Sequence, residues 1–125
     1  MEAAAGTVLI VDDEPSIRLL CRVNLELAGW RVVEAGGVAE ARERVRGEPV
    51  DVVLLDIHLG HEDGLALLSE LKEDHPALPV ALFSGTAEVA PADAERADAV
   101  VPKPFPLDVL TSTVTDLAGR PDGAR

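Results

Sequence analysis

Residues 8–15 read VLIVDDEP, and they carry the clearest indication of the fold. Its four aliphatic residues do not alternate with polar ones, which is typical of a strand buried on both faces, as in a parallel sheet covered by helices. The acidic residues that follow end the strand, and Pro15 comes where the first turn of a helix tolerates proline. A buried strand, an acidic turn and a helix are therefore predicted in succession.

The same alternation continues along the chain. Strands are predicted over residues 7–11, 31–34, 50–55, 78–83 and 99–101. Helical spacing fills the intervals, and in the first helix it places on one face Ile17, Leu20, Cys21, Asn24 and Leu27. We therefore predict a single-domain α/β fold, flavodoxin-like, with a five-stranded parallel sheet in the order 2-1-3-4-5 and helices on both faces. The domain is expected over residues 6–118, between an N-terminal arm (1–5) and a flexible C-terminal tail (119–125).

Composition and charge argue against several classes of function. The chain of 125 residues has 11 basic and 23 acidic side chains, a net charge of −12. A surface for nucleic acid or for an anionic membrane needs the opposite balance, so neither partner is expected. The single Cys21 excludes an internal disulfide, and no apolar run approaches the roughly 20 residues of a membrane span. We expect a cytoplasmic protein.

Polar side chains follow four of the predicted strands where each strand ends. Asp12 and Asp13 follow the first strand and Asp56 the third, while the fourth and fifth strands lead to Ser84 and Lys103. A single polar residue at a strand end is usually only the start of a loop. The combination is less easily dismissed, because the carboxyl ends of parallel strands meet at one edge of the sheet, where ligands bind in this type of fold.

These residue types suit the transfer of a phosphoryl group. Three ionised carboxylates close together repel one another unless a cation compensates them, and oxygen ligands at a partly open site suit Mg²⁺. The chain has nine arginines but only two lysines, and one of these, Lys103, follows the fifth strand as a compact positive charge. Metal and lysine would neutralise the phosphoryl oxygens while a carboxylate attacks. Asp56 is the candidate nucleophile, since Asp12 and Asp13 form a pair on the other strand.

Together these residues resemble the receiver domain of two-component response regulators. The resemblance covers about residues 6–118 and rests on short motifs in the order and at about the spacing of that family. The motifs are VLIVDDEP (8–15), DVVLLD (51–56), DGL (63–65), FSG (83–85) and KPF (103–105). Each motif is weak alone, but the ordered set is specific.

The resemblance implies a role for each matching residue. Asp56 would be the phosphoacceptor, and Mg²⁺ would be held by Asp12, Asp13, Asp56 and the backbone carbonyl of His58. The phosphoryl donor would be a phosphohistidine on a sensor histidine kinase or a phosphotransfer protein.

The remaining motifs imply how the phosphoryl group is sensed. Ser84 and Lys103 would contact the phosphoryl oxygens, with a cis peptide between Lys103 and Pro104. The output would be a change in protein–protein interactions through the face of the fourth helix, fifth strand and fifth helix, which in the family also forms homodimers. The domain would catalyse only its own phosphorylation and dephosphorylation, so an enzyme acting on an external substrate is not expected.

Two departures from the family concern the residues that would respond to the phosphoryl group, which we call the switch. The family usually has an aromatic residue three positions before the lysine, which acts together with the hydroxyl at the position of Ser84, and here the aromatic position is occupied by Val100. Ser84 and Lys103 are 19 residues apart (103 − 84), fewer than is usual, so the fourth helix is expected to be short or irregular.

A third departure lies after the candidate phosphoacceptor. Residues 59–60 read Leu-Gly in place of the common Met-Pro, and we expect Gly60 to make this loop mobile. His58 and Thr86 occupy positions where the family tunes the lifetime of the phosphoryl group, and an effect of His58 on dephosphorylation is predicted without a sign.

Two other functions stay open. A pseudo-receiver would keep the fold as a binding module that needs no phosphate, which the altered switch position favours and the retained acidic residues oppose. A hydrolase working through an aspartyl phosphate would place a second aspartate two residues after the nucleophile, where this chain has His58.

Overall fold

Strands and helices alternate along the described residues of the computed structural model, which are 6–84, 91–102 and 106–118. For five of these it gives the backbone only: Ser84, Pro91, Asp93, Ala94 and Pro102. The strands are β1 (Thr7–Val11), β2 (Arg31–Ala35), β3 (Val52–Asp56), β4 (His58–Leu59), β5 (Glu62–Asp63), β6 (Val80–Ser84) and β7 (Ala99–Pro102). The helices are α1 (Pro15–Leu27), α2 (Val38–Gly47), α3 (Gly64–Asp74), α4 (Pro91–Arg96) and α5 (Leu107–Ala118).

The sheet has the predicted topology. Within the described ranges, five parallel strands are ordered β2-β1-β3-β6-β7. This order confirms the predicted 2-1-3-4-5 arrangement, because β6 and β7 are the fourth and fifth predicted strands. The two-residue strands β4 and β5 pair antiparallel with each other and form a separate hairpin that the sequence did not predict.

Two central strands are shifted relative to prediction. β3 and β6 both begin two residues later and end one residue later than the aliphatic pattern indicated. Leu78 belongs to a turn, in which its N–H donates to the His75 carbonyl over 2.9 Å. At the other end, Asp56 still pairs with Phe83 in the ladder, so the candidate phosphoacceptor is a strand residue.

The sheet separates two apolar layers, one on each face. One layer joins the sheet to α1 and α5 through Leu25, Phe83 and Leu110, and it includes Cys21, which is fully buried. The other joins the sheet to α2 and α3 through residues such as Leu55. Burial on both faces explains why the strand sequences run as continuous aliphatic stretches.

The predicted apolar face of α1 is partly wrong. Cys21 and Leu25 face the sheet, whereas Leu20 is 43% exposed and Leu27 is 81% exposed. The helix carries apolar residues on two sides, and spacing alone could not decide which side meets the core.

The fourth helix is short, as expected. Among the described residues, α4 comprises the six residues Pro91–Arg96. In the part of the chain that the structure describes, no helix is long and apolar enough to span a membrane.

Candidate functional site

Asp12 directly follows β1 and is held at its main chain and its side chain. Its N–H donates to the Ala35 carbonyl over 3.1 Å, which extends the pairing of β1 with β2 by one residue. Its Oδ1 accepts a hydrogen bond from the Glu14 N–H over 2.9 Å, an aspartate turn that leads the chain into Pro15 and α1. Asp12 is fully buried, whereas the next residue, Asp13, is exposed.

Asp56 is the last residue of β3, the strand beside β1. Val11 pairs with Leu55, so the residues that come next, Asp12 and Asp56, lie side by side at the same edge of the sheet. Asp56 is 5% exposed, and its Oδ1 accepts a hydrogen bond from the His58 N–H over 3.1 Å. The pairing of β3 with its neighbouring strands therefore fixes the position of this carboxylate at the edge of the sheet.

The structure brings three predicted carboxylates together. Asp12, Asp13 and Asp56 each offer one oxygen, and these oxygens all lie within 4.8 Å of one another. Carboxylate oxygens alone, with one exposed member open to water, match the preference of Mg²⁺ for oxygen ligands and retained waters. A bound cation would also offset the repulsion between the carboxylates. The residues present therefore fit the expected metal.

The hairpin β4–β5 forms the wall of the site that follows Asp56. His58 begins it with an exposed side chain, and Gly60 turns it with a left-handed φ of 63°. A Cβ added to Gly60 would lie 3.7 Å from Asp13 Oδ2, so the turn comes close to the exposed carboxylate. The expected mobility of this loop stays a prediction.

Glu62, on the second strand of the hairpin, ties the site wall to α2. Its Oε1 accepts a hydrogen bond from the Val38 N–H over 3.0 Å at the start of that helix. The residue before the helix is Gly37, which has no side chain with which to cap it. Glu62 supplies the missing acceptor from a distant part of the chain.

The other predicted site residues are only partly described. Ser84 ends β6, which brings its backbone to the same edge of the sheet, and Val100 lies in β7 opposite Leu82 and is partly buried. Thr86 and Lys103, with the peptide between Lys103 and Pro104, lie outside the described residues. The approach of the lysine to the carboxylates therefore stays a prediction.

Two further residues near the site were not predicted, Arg18 and Glu62. Arg18 donates from Nη1 to the Asp12 carbonyl over 2.6 Å and from Nε to Glu34 Oε1 over 3.0 Å. In the sequence both look like ordinary charged residues of a helix or a loop. The only available signal for Arg18 was its place one turn into a helix that begins beside the acidic pair.

Comparison with known proteins identifies the family. Residues 8–115 match the response regulator receiver domain. The chain is 37% identical over 127 residues to the sensor kinase CckA of Brucella abortus, covering 96% of this chain and 13% of the kinase. It is 35% identical over 112 residues to the DNA-binding transcriptional regulator NtrC of Escherichia coli K12, covering 87% of this chain and 24% of the regulator. The chain thus spans less than a third of either relative.

Solved structures agree with the sequence comparison. The crystal structure of the receiver domain of NtrX from Brucella abortus has a TM-score of 0.84 at 35% identity, covering 90% of this chain and 98% of that one. The response regulator TrrA of Thermotoga maritima, solved in complex with Mg²⁺ and BeF, has the same TM-score at 28% identity and the same coverage. With its sheet order, its acidic cluster and these matches, the chain belongs to the family of response regulator receiver domains.

Proposed function

We propose that this receiver domain accepts a phosphoryl group on Asp56 in a Mg²⁺-dependent reaction and thereby changes its protein–protein interactions. The observation that carries the proposal is the convergence of Asp12, Asp13 and Asp56, with oxygens within 4.8 Å. A cluster of this kind is electrostatically unfavourable without a cation. Its position at the carboxyl edge, between neighbouring strands β1 and β3, is where this fold binds ligands.

The reaction that follows is a transfer between two side chains. The Asp56 carboxylate attacks phosphorus, a new oxygen–phosphorus bond forms, and the phosphorus–nitrogen bond of the donor histidine breaks, leaving its electron pair on the imidazole. The His58 N–H donates to Oδ1 of Asp56 over 3.1 Å and helps to orient the carboxylate for the attack. Bound Mg²⁺ would supply positive charge for the phosphoryl oxygens. In the proposal, Ser84 and Lys103 contact those oxygens, and His58 and Thr86 tune how long the group persists.

The consequence of phosphorylation is a new local charge. At this already acidic edge, an acyl phosphate with a charge of about −1.5 to −2, by analogy with other phosphorylated residues, replaces a carboxylate with a single negative charge. Ser84 and Lys103 would move with the new oxygens and shift an existing equilibrium on the face of α4, β7 and α5. Val100 carries no aromatic ring, so the inward ring movement common in the family is not available to this switch.

We infer that a protein donor docks along α1. This helix begins three residues after Asp12, and it exposes a stripe formed by Leu19, Leu20, Val23 and Leu27. Such a stripe suits the apolar face of a helical partner, which would then lie beside the acidic cluster. Leu19 is 60% exposed, so replacing it leaves the core intact.

Comparing two donors tests this surface. In the double variant Leu19→Ser, Val23→Ser we expect transfer from a phosphorylated histidine phosphotransfer protein to slow by tenfold or more, on the order of a binding hot spot. Labelling by acetyl phosphate should stay at the wild-type rate, because a small donor needs no docking face. Equal rates with the protein donor for variant and wild type would contradict docking along α1.

The chemistry itself is tested by incubating the protein with acetyl phosphate and Mg²⁺ and measuring the intact mass. We expect the mass of one phosphoryl group to be added, and none in Asp56→Asn. Asp74→Asn is a matched control, since Asp74 is an exposed aspartate at the end of α3, and it should be labelled like the wild type. A wild type that binds partners but never gains mass would instead identify the chain as a phosphate-independent binding module.

A further inference from the structure

Arg18 connects the acidic cluster with the edge of the sheet. From the first turns of α1, its guanidinium reaches back to the Asp12 carbonyl over 2.6 Å and sideways to Glu34 Oε1 on β2 over 3.0 Å. The side chain is 20% exposed, so these bonds are partly shielded from water. A charge-assisted bond of this length is among the stronger hydrogen bonds in a protein.

The bond to Arg18 completes the fixation of the Asp12 main chain. The N–H of Asp12 is held by the Ala35 carbonyl and its carboxylate by the Glu14 N–H, so the carbonyl is the remaining group. That carbonyl belongs to the same peptide unit as the N–H of Asp13. Asp13 is exposed and lacks the packing that fixes Asp12, so its position depends on how firmly this peptide is held.

The charge of Arg18 is offset locally. Glu34 lies between Arg18 and Arg22, accepting from the first at 3.0 Å and from the second at 2.8 Å. A guanidinium already paired with a carboxylate contributes little net field at the neighbouring cluster. The loss of Arg18 should therefore act on the geometry of the metal-binding pair more than on its electrostatic potential.

We propose that Arg18 is a positioning residue that holds Asp12 and Asp13 in the arrangement that binds Mg²⁺. The inference rests on the proposed function, because it assigns Arg18 to the same metal site. Arg22 provides an internal control. It occupies the same helix and also binds Glu34, but its other bond goes to Glu26 on the solvent side rather than to the site.

The test is a titration of the full chain with Mg²⁺ alone, followed by calorimetry or by amide NMR shifts. In Arg18→Ala we expect the dissociation constant for Mg²⁺ to rise about tenfold, the lower end of the effect of removing a group that orients metal ligands. Arg22→Ala should stay within about twofold of wild type. Arg18→Lys should fall between, because an ammonium can reach the carbonyl but cannot bridge it to Glu34 in the fork geometry of a guanidinium. Thermal unfolding of each variant verifies that it is folded.

The outcomes separate the two proposals. If the wild type binds Mg²⁺ and Arg18→Ala binds equally well or more tightly, the positioning role is wrong while the metal site stands. Equal weakening by Arg18→Ala and Arg22→Ala also overturns it, because the effect would then belong to Glu34 and not to the bond to Asp12. A wild type that binds no Mg²⁺ would overturn the metal site itself and this inference with it. A rise confined to Arg18 variants supports the proposal.

Discussion

Gly64 begins α3 directly against the peptides that follow the candidate phosphoacceptor. Its N–H donates to the Ile57 carbonyl over 2.9 Å. A Cβ at this position would lie 2.6 Å from that carbonyl oxygen, 2.8 Å from Ile57 Cα, and closer still to the Asp56 carbonyl oxygen. These are backbone atoms of a buried strand end and cannot rotate away, so the helix approaches the site this closely only because residue 64 has no side chain.

The substitution Gly64→Ala should therefore strain the site. We expect the free energy of unfolding to fall by about 1–3 kcal/mol, as for overpacking in a core, and labelling by acetyl phosphate to slow because the Asp56 peptide is displaced. Gly47→Ala is the matched control, since nothing lies within 4 Å of a Cβ at that helical glycine. Alanine there should be neutral or stabilising by up to about 1 kcal/mol. Urea unfolding compares the two, and equal stability of both variants would contradict the close approach.

Among the elements, the hairpin β4–β5 and the helices α2 and α3 are joined to one another by side-chain hydrogen bonds. Glu62 of the hairpin caps α2, and Arg42 of α2 donates two hydrogen bonds to Glu70 of α3 over 2.7 and 2.8 Å. The Arg42 bond holds the pKa of the Glu70 carboxyl below its ordinary value. The pair therefore stabilises the fold above the ordinary glutamate pKa, and that contribution is lost as the pH falls through the lowered pKa. Because both side chains are partly exposed to solvent, which screens their charges, we expect this effect to be small.

Removing the hydrogen bond that caps α2 should lower the stability of the protein. Glu62→Ala leaves the Val38 N–H without its acceptor and should lower the free energy of unfolding by about 1 kcal/mol, as for other helix N-caps. Glu62→Gln should lose less, because an amide oxygen can still accept the bond. Glu73→Ala, at an exposed glutamate of α3, should stay within about 0.5 kcal/mol of wild type. Denaturant midpoints measure all three, and the cap is unimportant if Glu62→Ala matches Glu73→Ala.

How far the elements could be predicted follows from the signal each one carries. The buried strands and their order were predictable because short aliphatic runs such as 52–55 are typical of a strand covered on both faces. The hairpin β4–β5 was missed because strands of two residues show no periodicity. The core face of α1 was predicted in part only, because Leu20 and Leu27 fit the helical spacing as well as Cys21 does.

Over the whole molecule, a net charge of −12 coexists with a dense set of arginine–glutamate pairs around β2. Arg22, Arg31 and Arg44 pair with glutamates there, and Arg44 Nε also donates to the Glu34 carbonyl over 3.2 Å. β2 is an edge strand of the described sheet, and a covered edge carbonyl discourages pairing with another chain. The acidic side chains in excess over the basic ones therefore lie on other surfaces, including the carboxyl edge of the sheet that carries the site.

The position of the candidate site was predictable from the topology of the whole molecule. Asp12 and Asp56 are 44 residues apart (56 − 12), and only the placement of the first and third strands side by side brings them together. The contacts of Arg18 and Glu62 were not predictable, because their side chains reach from a helix and a hairpin to backbone groups that no spacing rule specifies. The sequence therefore predicted which carboxylates converge, and the structure added the groups that hold them in place.

The most direct measurement locates the phosphoryl group within the chain. Borohydride reduces an acyl phosphate, but not a free carboxylate, to an alcohol, so peptide mass spectrometry after labelling with acetyl phosphate identifies the modified aspartate. We predict reduction at position 56 alone, present with Mg²⁺ and absent when the metal is chelated. Reduction at Asp12 or Asp13, or an unchanged Asp56 in protein that has gained a phosphoryl mass, would contradict the assignment of this carboxylate as the acceptor.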